Sequence, residues 1–528
     1  MKLTLFLLVC LFVSFISCSK KYGTIYYDQE TQEYTYAEKF DLSGVATAME
    51  NDEVEQDGWE KLAIRGSKSD EYDDFVKATA MGLLEGILSH DRILDFHSNW
   101  INYNFPNGIP DVARKFAEDN LEWVTEQTLQ NIGDEYWDSI GASIFQIKGI
   151  VDGLNWFHDT GFDMLDIYLL NINGDIEDIC AKFNVTTRSR SEQMGLDHCS
   201  GLIKLLEDGS DIYVSQATWN RWYGMLRQLK YYEFNFKSIP TADIVFSGYA
   251  GVIASLDSYY QIDKSRILIE TTLIVFNADI YQYVTTESVL TTLRVTGCNR
   301  YAKSGKDWAQ CIKQHNSGTY NNEWLIVDYD QWEQSSQTDV LWVCGQMPGK
   351  LVCEDTTSSL LSQKYVPSYN IPRITEIYNY AGYDGAVKQY GNWFDYELHP
   401  RAQIFKRNQS TIKNLDHMKA MMRYNNWEND PLSNGSPGNA ISSRKDLIDP
   451  NKTPPNPFLQ ASCFGGLDAK IGSYADLKKS QVNAELGPTH DQQPVFTWKN
   501  APKCCDGVPH QGQPDIFDFD WIVWRHQM

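Results

Sequence analysis

Few side chains in this sequence stand at a spacing that does chemistry. The ten histidines are scattered, and no H-E-x-x-H or C-x-x-C pair offers zinc a home. There is no G-x-S-x-G turn to present a serine nucleophile. Neither G-x-x-x-x-G-K-[ST] nor G-x-G-x-x-G is there to cradle phosphate. No metal or other cofactor is therefore expected. His90 and His97 stand seven apart, and two structural histidines account for them. Cysteine remains. Of eleven, Cys10 and Cys18 fall in the N-terminal apolar region, which leaves nine. Nine is odd, so at least one thiol is unpaired or pairs between chains. In an oxidising compartment a spare thiol is a liability unless it has a use. Cys504 and Cys505 are adjacent and either close a strained ring or pair elsewhere. Cys199 ends a polar stretch and opens an apolar one, Gly201-Leu202-Ile203-Lys204-Leu205-Leu206. By spacing alone it reads as a half-cystine or a buried thiol. As a nucleophile it would form a thioester with an acyl group.

The elements that must position such a residue are coarse in outline. The chain has 528 residues, enough for one large or two intimately packed units. Hydrophobic content of 42% and aromatic content of 13% exclude a disordered chain and imply a large core. A net charge of −24 excludes a general nucleic-acid binder. The N-terminus places Lys2, an apolar run from Leu3 to Ile16 and the small residues Ser17, Cys18 and Ser19 in order, which reads as a signal peptide over 1–19. The expected compartment is extracellular or lumenal. Sequons at Asn184, Asn408, Asn434 and Asn451 agree, the last two weakened by a following proline.

Alternation over 22–38 predicts strands, and the apolar spacing predicts helices over 72–89, 110–131 and 134–157. The first 175 or so residues thus read as a mostly helical block. Residues 183–195, rich in Ser, Thr and Arg, read as an exposed linker. Beyond it, strands are predicted at 202–206, 212–215, 244–246, 267–276, 323–327 and 340–343. Helices are predicted over 219–231 and 411–424, a long loop over 432–460, and C-terminal strands around Phe496, Phe517 and Trp521. The mixed order points to a layered α+β body.

Several segments, in order from about residue 23 to 524, carry a resemblance. Leu196-Asp197-His198-Cys199-Ser200-Gly201, Ala217-Thr218-Trp219, Glu270-Thr271-Thr272 and Asn316-Ser317-Gly318-Thr319-Tyr320-Asn321-Asn322 are among them. So are Ser368-Tyr369-Asn370-Ile371-Pro372, Pro400-Arg401-Ala402-Gln403, Gly465-Gly466-Leu467-Asp468-Ala469-Lys470 and His510-Gln511-Gly512-Gln513-Pro514. Together they resemble the phospholipase B-like family of lysosomal and secreted proteins.

The resemblance implies an N-terminal nucleophile hydrolase with an αββα sandwich, plus the mostly helical N-terminal segment. It implies a precursor cut between His198 and Cys199 into an N-terminal fragment, 20–198, and a C-terminal fragment, 199–528, that stay associated. Cys199 would be the nucleophile, Asn370 the oxyanion donor and Arg401 the holder of negative charge, with Trp219 and Thr272 at pocket positions. Read without the resemblance, Asn370 starts a turn and Arg401 is a surface ion-pair partner. Thr272 then fills a sheet and Trp219 anchors a core. One departure stands out: Gln216 occupies a position where the resemblance implies histidine, and glutamine hydrogen-bonds but does not titrate. The implied substrate is a glycerophospholipid or other acylated lipid, with only transient contact with a membrane surface. An N-acyl amide hydrolase of the same mechanism, or a non-catalytic lumenal lipid-binding protein, is the alternative.

Overall fold

The computed structural model describes residues 20–185, 199–256, 259–452, 458–526 and 528. The apolar segment 1–19, most of the linker and His198 lie outside the described residues. In chain order the strands are Lys20–Asp28 (β1), Glu33–Ala37 (β2), Ala46–Glu53 (β3), Trp59–Gly66 (β4), Ser200–Leu205 (β5), Ile212–Arg221 (β6) and Arg227–Glu233 (β7). Asp243–Gly248 (β8), Tyr259–Ile262 (β9), Arg266–Thr272 (β10), Asn322–Asp328 (β11), Leu341–Met347 (β12) and Lys350–Asp355 (β13) follow. The last are Tyr365–Ser368 (β14), Phe464–Gly472 (β15), Gln481–Leu486 (β16), Phe496–Thr497 (β17), Ile516–Phe517 (β18) and Ile522–Arg525 (β19).

Eleven of these form one sheet in the order β13-β12-β11-β10-β9-β8-β7-β4-β3-β1-β2. Six form a second, β14-β5-β6-β15-β16-β19. Nearly every ladder is antiparallel; β4 and β7 pair in parallel, from Trp59↔Arg227 to Arg65↔Glu233. That one ladder joins the strands before the linker to those after it.

Side-chain alternation sets the layers. On one face of the large sheet, Lys230 of β7 pairs with Glu85 of the helix Asp74–Leu88 (α1). Ile267 and Ile269 of β10 point the other way, toward Gly472 of β15 and Gly201 of β5. The second sheet therefore lies against the face of the large sheet opposite α1. Ser200 and Lys204, on the outer face of β5, meet Arg401 and Gln409 at the helix Pro400–Asn408 (α3). The result is helices, sheet, sheet, helices, a mixed α+β architecture with the core between and around the sheets.

Helix α1 starts at Asp73, whose carboxylate accepts from the Val76 N–H. It packs on the helix Glu135–Leu154 (α2) through glycine. A Cβ on Gly82 would sit 2.0 Å from the Gln146 carbonyl, and one on Gly149 2.2 Å from that of Thr79. The two backbones touch where larger residues would hold them apart, as the period of the apolar residues alone does not show.

The N-terminal segment is mostly helical, as expected, and it also supplies β1–β4. One expectation is corrected. The stretch 219–231 is not a helix. Strand β6 runs through Trp219 to Arg221, a short 3-10 turn covers Trp222–Gly224, and β7 begins at Arg227. Its aromatics are spaced for a helix but buried on both faces as sheet residues, and packing overrides the local period. Among the described residues of 432–460 the long loop is irregular but largely buried, and the Ile441 carbonyl within it accepts from the Trp219 indole N–H at 2.9 Å.

Candidate active site

Strand β5 begins one residue after Cys199, which is 3% exposed. The Ser200↔Ala217 register of β5 on β6 carries Cys199 to the level of Thr218. Arg401 reaches this point from the first turn of α3. Pro400 opens that helix, and His399 caps it by accepting the Arg401 N–H on Nδ1 at 3.0 Å. Burial and the adjacent guanidinium push the His399 imidazole well below its usual range, so it stays neutral and keeps the cap.

Both terminal nitrogens of the Arg401 guanidinium are fully engaged, while its buried Nε has no partner among the described residues. Nη1 donates to the Cys199 carbonyl at 2.6 Å and to Ser200 Oγ at 3.2 Å. Nη2 donates to the Tyr369 carbonyl at 2.8 Å and to Asn370 Oδ1 at 2.9 Å. Its plane lies 4.5 Å from the Trp219 ring centre, a cation–π contact in a dry site. Burial pulls the guanidinium down to about 9, with Cys199 acting in the opposite direction. It is still protonated at neutral and acidic pH.

Asn370 has a left-handed backbone, φ +68°, which asparagine tolerates better than most residues. Its Nδ2 donates to the Thr272 carbonyl at 2.8 Å and its backbone N–H to Thr271 Oγ1 at 3.2 Å. From there a chain of bonds leads inward. Thr271 and Ser368 hydroxyls lie 2.7 Å apart, and Ser368 donates to Glu323 Oε1 at 2.8 Å. The Arg373 N–H donates to Glu323 Oε2 at 2.6 Å. This chain braces the Ser368-Tyr369-Asn370 turn against β10 and β11.

The structure thus brings Cys199, Arg401, Asn370, Trp219 and Thr272 to one place. Thr272 enters through its carbonyl, while the hydroxyl in the network belongs to Thr271. Thr271, Ser368 and Glu323 were not picked out as site residues, although two lie in quoted segments. The Asn316–Asn322 segment reaches the site at Asn322, which stands opposite Thr272 in the β10–β11 ladder, while Thr319 donates to buried Asp175 and Asn321 to Asp178, tying the chain before the linker to the chain after it.

Three disulfides, Cys298–Cys311, Cys344–Cys353 and Cys463–Cys505, fit a chain folded in an oxidising compartment. Cys505 therefore pairs away from its neighbour, and burial holds the Cys504 thiol up at about 11. Cys180 and Cys199 also lie outside these bridges. No helix among the described residues is long and apolar enough to cross a membrane. No group of His, Cys, Asp or Glu among them is arranged to hold a metal ion. His97 lies against Trp100 and Phe162, and His90 against Asp91 and His158. Asn184, Asn434 and Asn451 are exposed, and Asn408 is half-buried.

Burial raises Glu323 to about 7, and raises Asp178, Asp211 and Glu485 to about 7 as well. A carboxyl whose folded value exceeds its unfolded one holds its proton more tightly in the folded state. Its contribution is complete at low pH and is lost as pH rises from about 4.5 toward 7. The melting temperature is expected to fall between pH 5 and pH 7.5. Glu323→Gln should show a smaller fall over the same window in a calorimetric pH series. Equal falls in the two proteins would contradict this account of Glu323.

Two packed sheets, with a cysteine and an arginine buried at the start of an inner strand, define a layered α+β protein built around one dry polar site. The sequence model of the Phospholipase B family matches residues 46–524. The chain is 35% identical over 500 residues to phospholipase B-like protein B of Dictyostelium discoideum, covering 91% of this chain and 86% of that one. It is 35% identical over 538 residues to phospholipase B-like protein A of the same organism, covering 96% and 92%. The chain belongs to the phospholipase B family.

Proposed function

We propose that this protein is a secreted or lysosomal acyl hydrolase whose nucleophile is the Cys199 thiol, on an N-terminal nucleophile hydrolase fold. The observation that carries the reading is the Arg401 fork, which joins the Cys199 carbonyl to the Tyr369–Asn370 turn in a buried setting. Such a fork fixes the thiol's backbone against a side-chain amide able to serve a developing oxyanion. The family's name supports a lipid substrate, and the proposed substrate is a phospholipid acyl ester.

The chemistry begins within the chain. The Cys199 thiol attacks the His198 carbonyl, and the peptide bond passes through a tetrahedral adduct to a thioester. Water hydrolyses the thioester, leaving a carboxylate on His198 and a free α-amine on Cys199. That amine has an ordinary value of about 7.7–8.0, so it can take the thiol proton near neutrality. The thiolate then attacks the acyl carbonyl of the lipid. The oxyanion collapses, the alcohol leaves with the proton, and water releases the fatty acid from the thioester. Asn370 keeps a second amide hydrogen beyond the one given to Thr272, and this is the donor for the oxyanion.

The contacts across the cut support fragments that remain together. The β4–β7 ladder, the Arg65–Glu233 bridge at 2.7 Å and the Asp175–Thr291 and Asp178–Asn321 bonds all link residues before and after it. The four carboxyls raised to about 7 favour an acidic lumen as the working compartment. The reading is tested with matched palmitoyl ester and palmitoyl amide substrates on the cut protein. Release from the ester at least tenfold faster supports it. Faster release from the amide points to an amidase, and lipid binding without release points to a carrier.

A further inference from the structure

Resting on that reading, we propose that Gln216 is a non-titrating hydrogen-bond donor to an oxygen of the acyl group held at Cys199. Gln216 sits on β6 opposite Gly201, two residue pairs along the ladder from the level of Cys199. Residues 201, 216, 218, 468 and 470 share the face turned toward the large sheet. Cross-strand diagonals of this kind are within reach of a long side chain. Gly201 brings no side chain of its own into the gap, and a Cβ there would lie 3.0 Å from Ile269 Cδ1.

The orientation of the Gln216 amide follows from its neighbours. Lys470, fully buried on β15, donates to the Thr218 hydroxyl oxygen and to Asp468. An ammonium can only donate, so the Thr218 oxygen accepts and its hydrogen is free to go elsewhere. It goes to Gln216 at 2.9 Å, and the atom that receives it must be the carbonyl oxygen Oε1. Nε2 is then turned away from Thr218. It is shut from solvent, and no described residue accepts its hydrogens. Asp468 is anchored in turn by Arg227, Nε to Oδ2 at 3.1 Å.

A buried amide donor without a partner costs roughly 1–3 kcal/mol, and folds seldom retain one. Here an ion pair and a hydroxyl fix the amide, and its unmet donor lies on the same face of the sheet as Gly201, on β6 diagonally across from Cys199. An acyl oxygen is the acceptor this arrangement fits. Glutamine stays a donor at every pH, so the contact persists across the range over which a histidine there would titrate.

The test uses cut protein beginning at Cys199, as wild type, Gln216→Met and Gln216→His. Palmitoyl lysophosphatidylcholine serves as substrate and palmitate as product ligand. Gln216→Met is expected to lower kcat/KM by 10- to 100-fold and to weaken palmitate binding about 3- to 10-fold, with no drop in melting temperature. Gln216→His should restore part of the activity and add an ionisation between pH 5 and 8 that wild type lacks. Wild-type kcat/KM and palmitate affinity in Gln216→Met would overturn the proposal, as would a wild-type pH profile in Gln216→His. If wild type binds palmitate but releases none from the lysolipid, the hydrolase reading fails. The palmitate affinities of the variants then still decide the role of Gln216.

Discussion

Cys199→Ala is expected to leave the secreted chain uncut at residue 199 and to lower acyl release by about 10⁴-fold or more, the scale on which losing a nucleophile disables other hydrolases. In the proposed mechanism one side chain serves both steps, so both should fail together. The fold should persist, because Cys199 is joined to its surroundings by its carbonyl. The Arg401 fork, the β5–β6 ladder and the three disulfides are untouched by the change. Cys199→Ser should retain slow cutting, since a hydroxyl can make the same adduct less readily. Gel analysis of the fragments and a fatty-acid release assay read the two steps separately. A Cys199→Ala protein that is cut at this site and active would remove Cys199 from the mechanism.

The second large effect is at Arg401. Arg401→Met would leave the carbonyls of Cys199 and Tyr369 and the Asn370 Oδ1 without their buried donor. Each orphaned acceptor costs on the order of 1–3 kcal/mol, and loss of a buried charged hub falls in the range of about 3–5 kcal/mol. Arg401→Lys is not conservative here, because one ammonium cannot reach four acceptors spread along a planar fork. Both variants are expected to melt several degrees lower. In addition, kcat/KM should drop about 10²- to 10³-fold through misplacement of Asn370. A denaturant series paired with lysolipid kinetics checks both. Wild-type stability in Arg401→Met would mean that the fork is dispensable.

Where the sequence was legible, a single physical signal carried it. The periods behind the helices Asp74–Leu88, Asp111–Gln130 and Glu135–Leu154 are plain, as are the short apolar strands β5, β11 and β12. The corner at 219–231 was not, since its aromatics fit two periods and only the sheets choose between them. Strand β15 was equally hidden. Gly465 and Gly466 interrupt it, and Asp468 and Lys470 look like surface charge until they are seen paired and buried. The same concealment applies to Glu323, a strand carboxyl opposite Thr271 whose role comes from Ser368, 45 residues away. Arg401 and Asn370 came from quoted segments, but the bonds that join them depend on backbone carbonyls, which no side-chain pattern encodes. Gln216 stood out in the sequence only as a departure. Its unmet Nε2 becomes visible once Thr218 and Lys470 are in place.

The central claim is that Cys199 becomes a chain terminus, and intact-mass analysis with N-terminal sequencing after incubation at acidic pH tests it most directly. The account predicts two associated fragments, one beginning Cys199-Ser200-Gly201. A chain that remains continuous through residue 199 would contradict it, because the α-amine on which the mechanism depends would not exist.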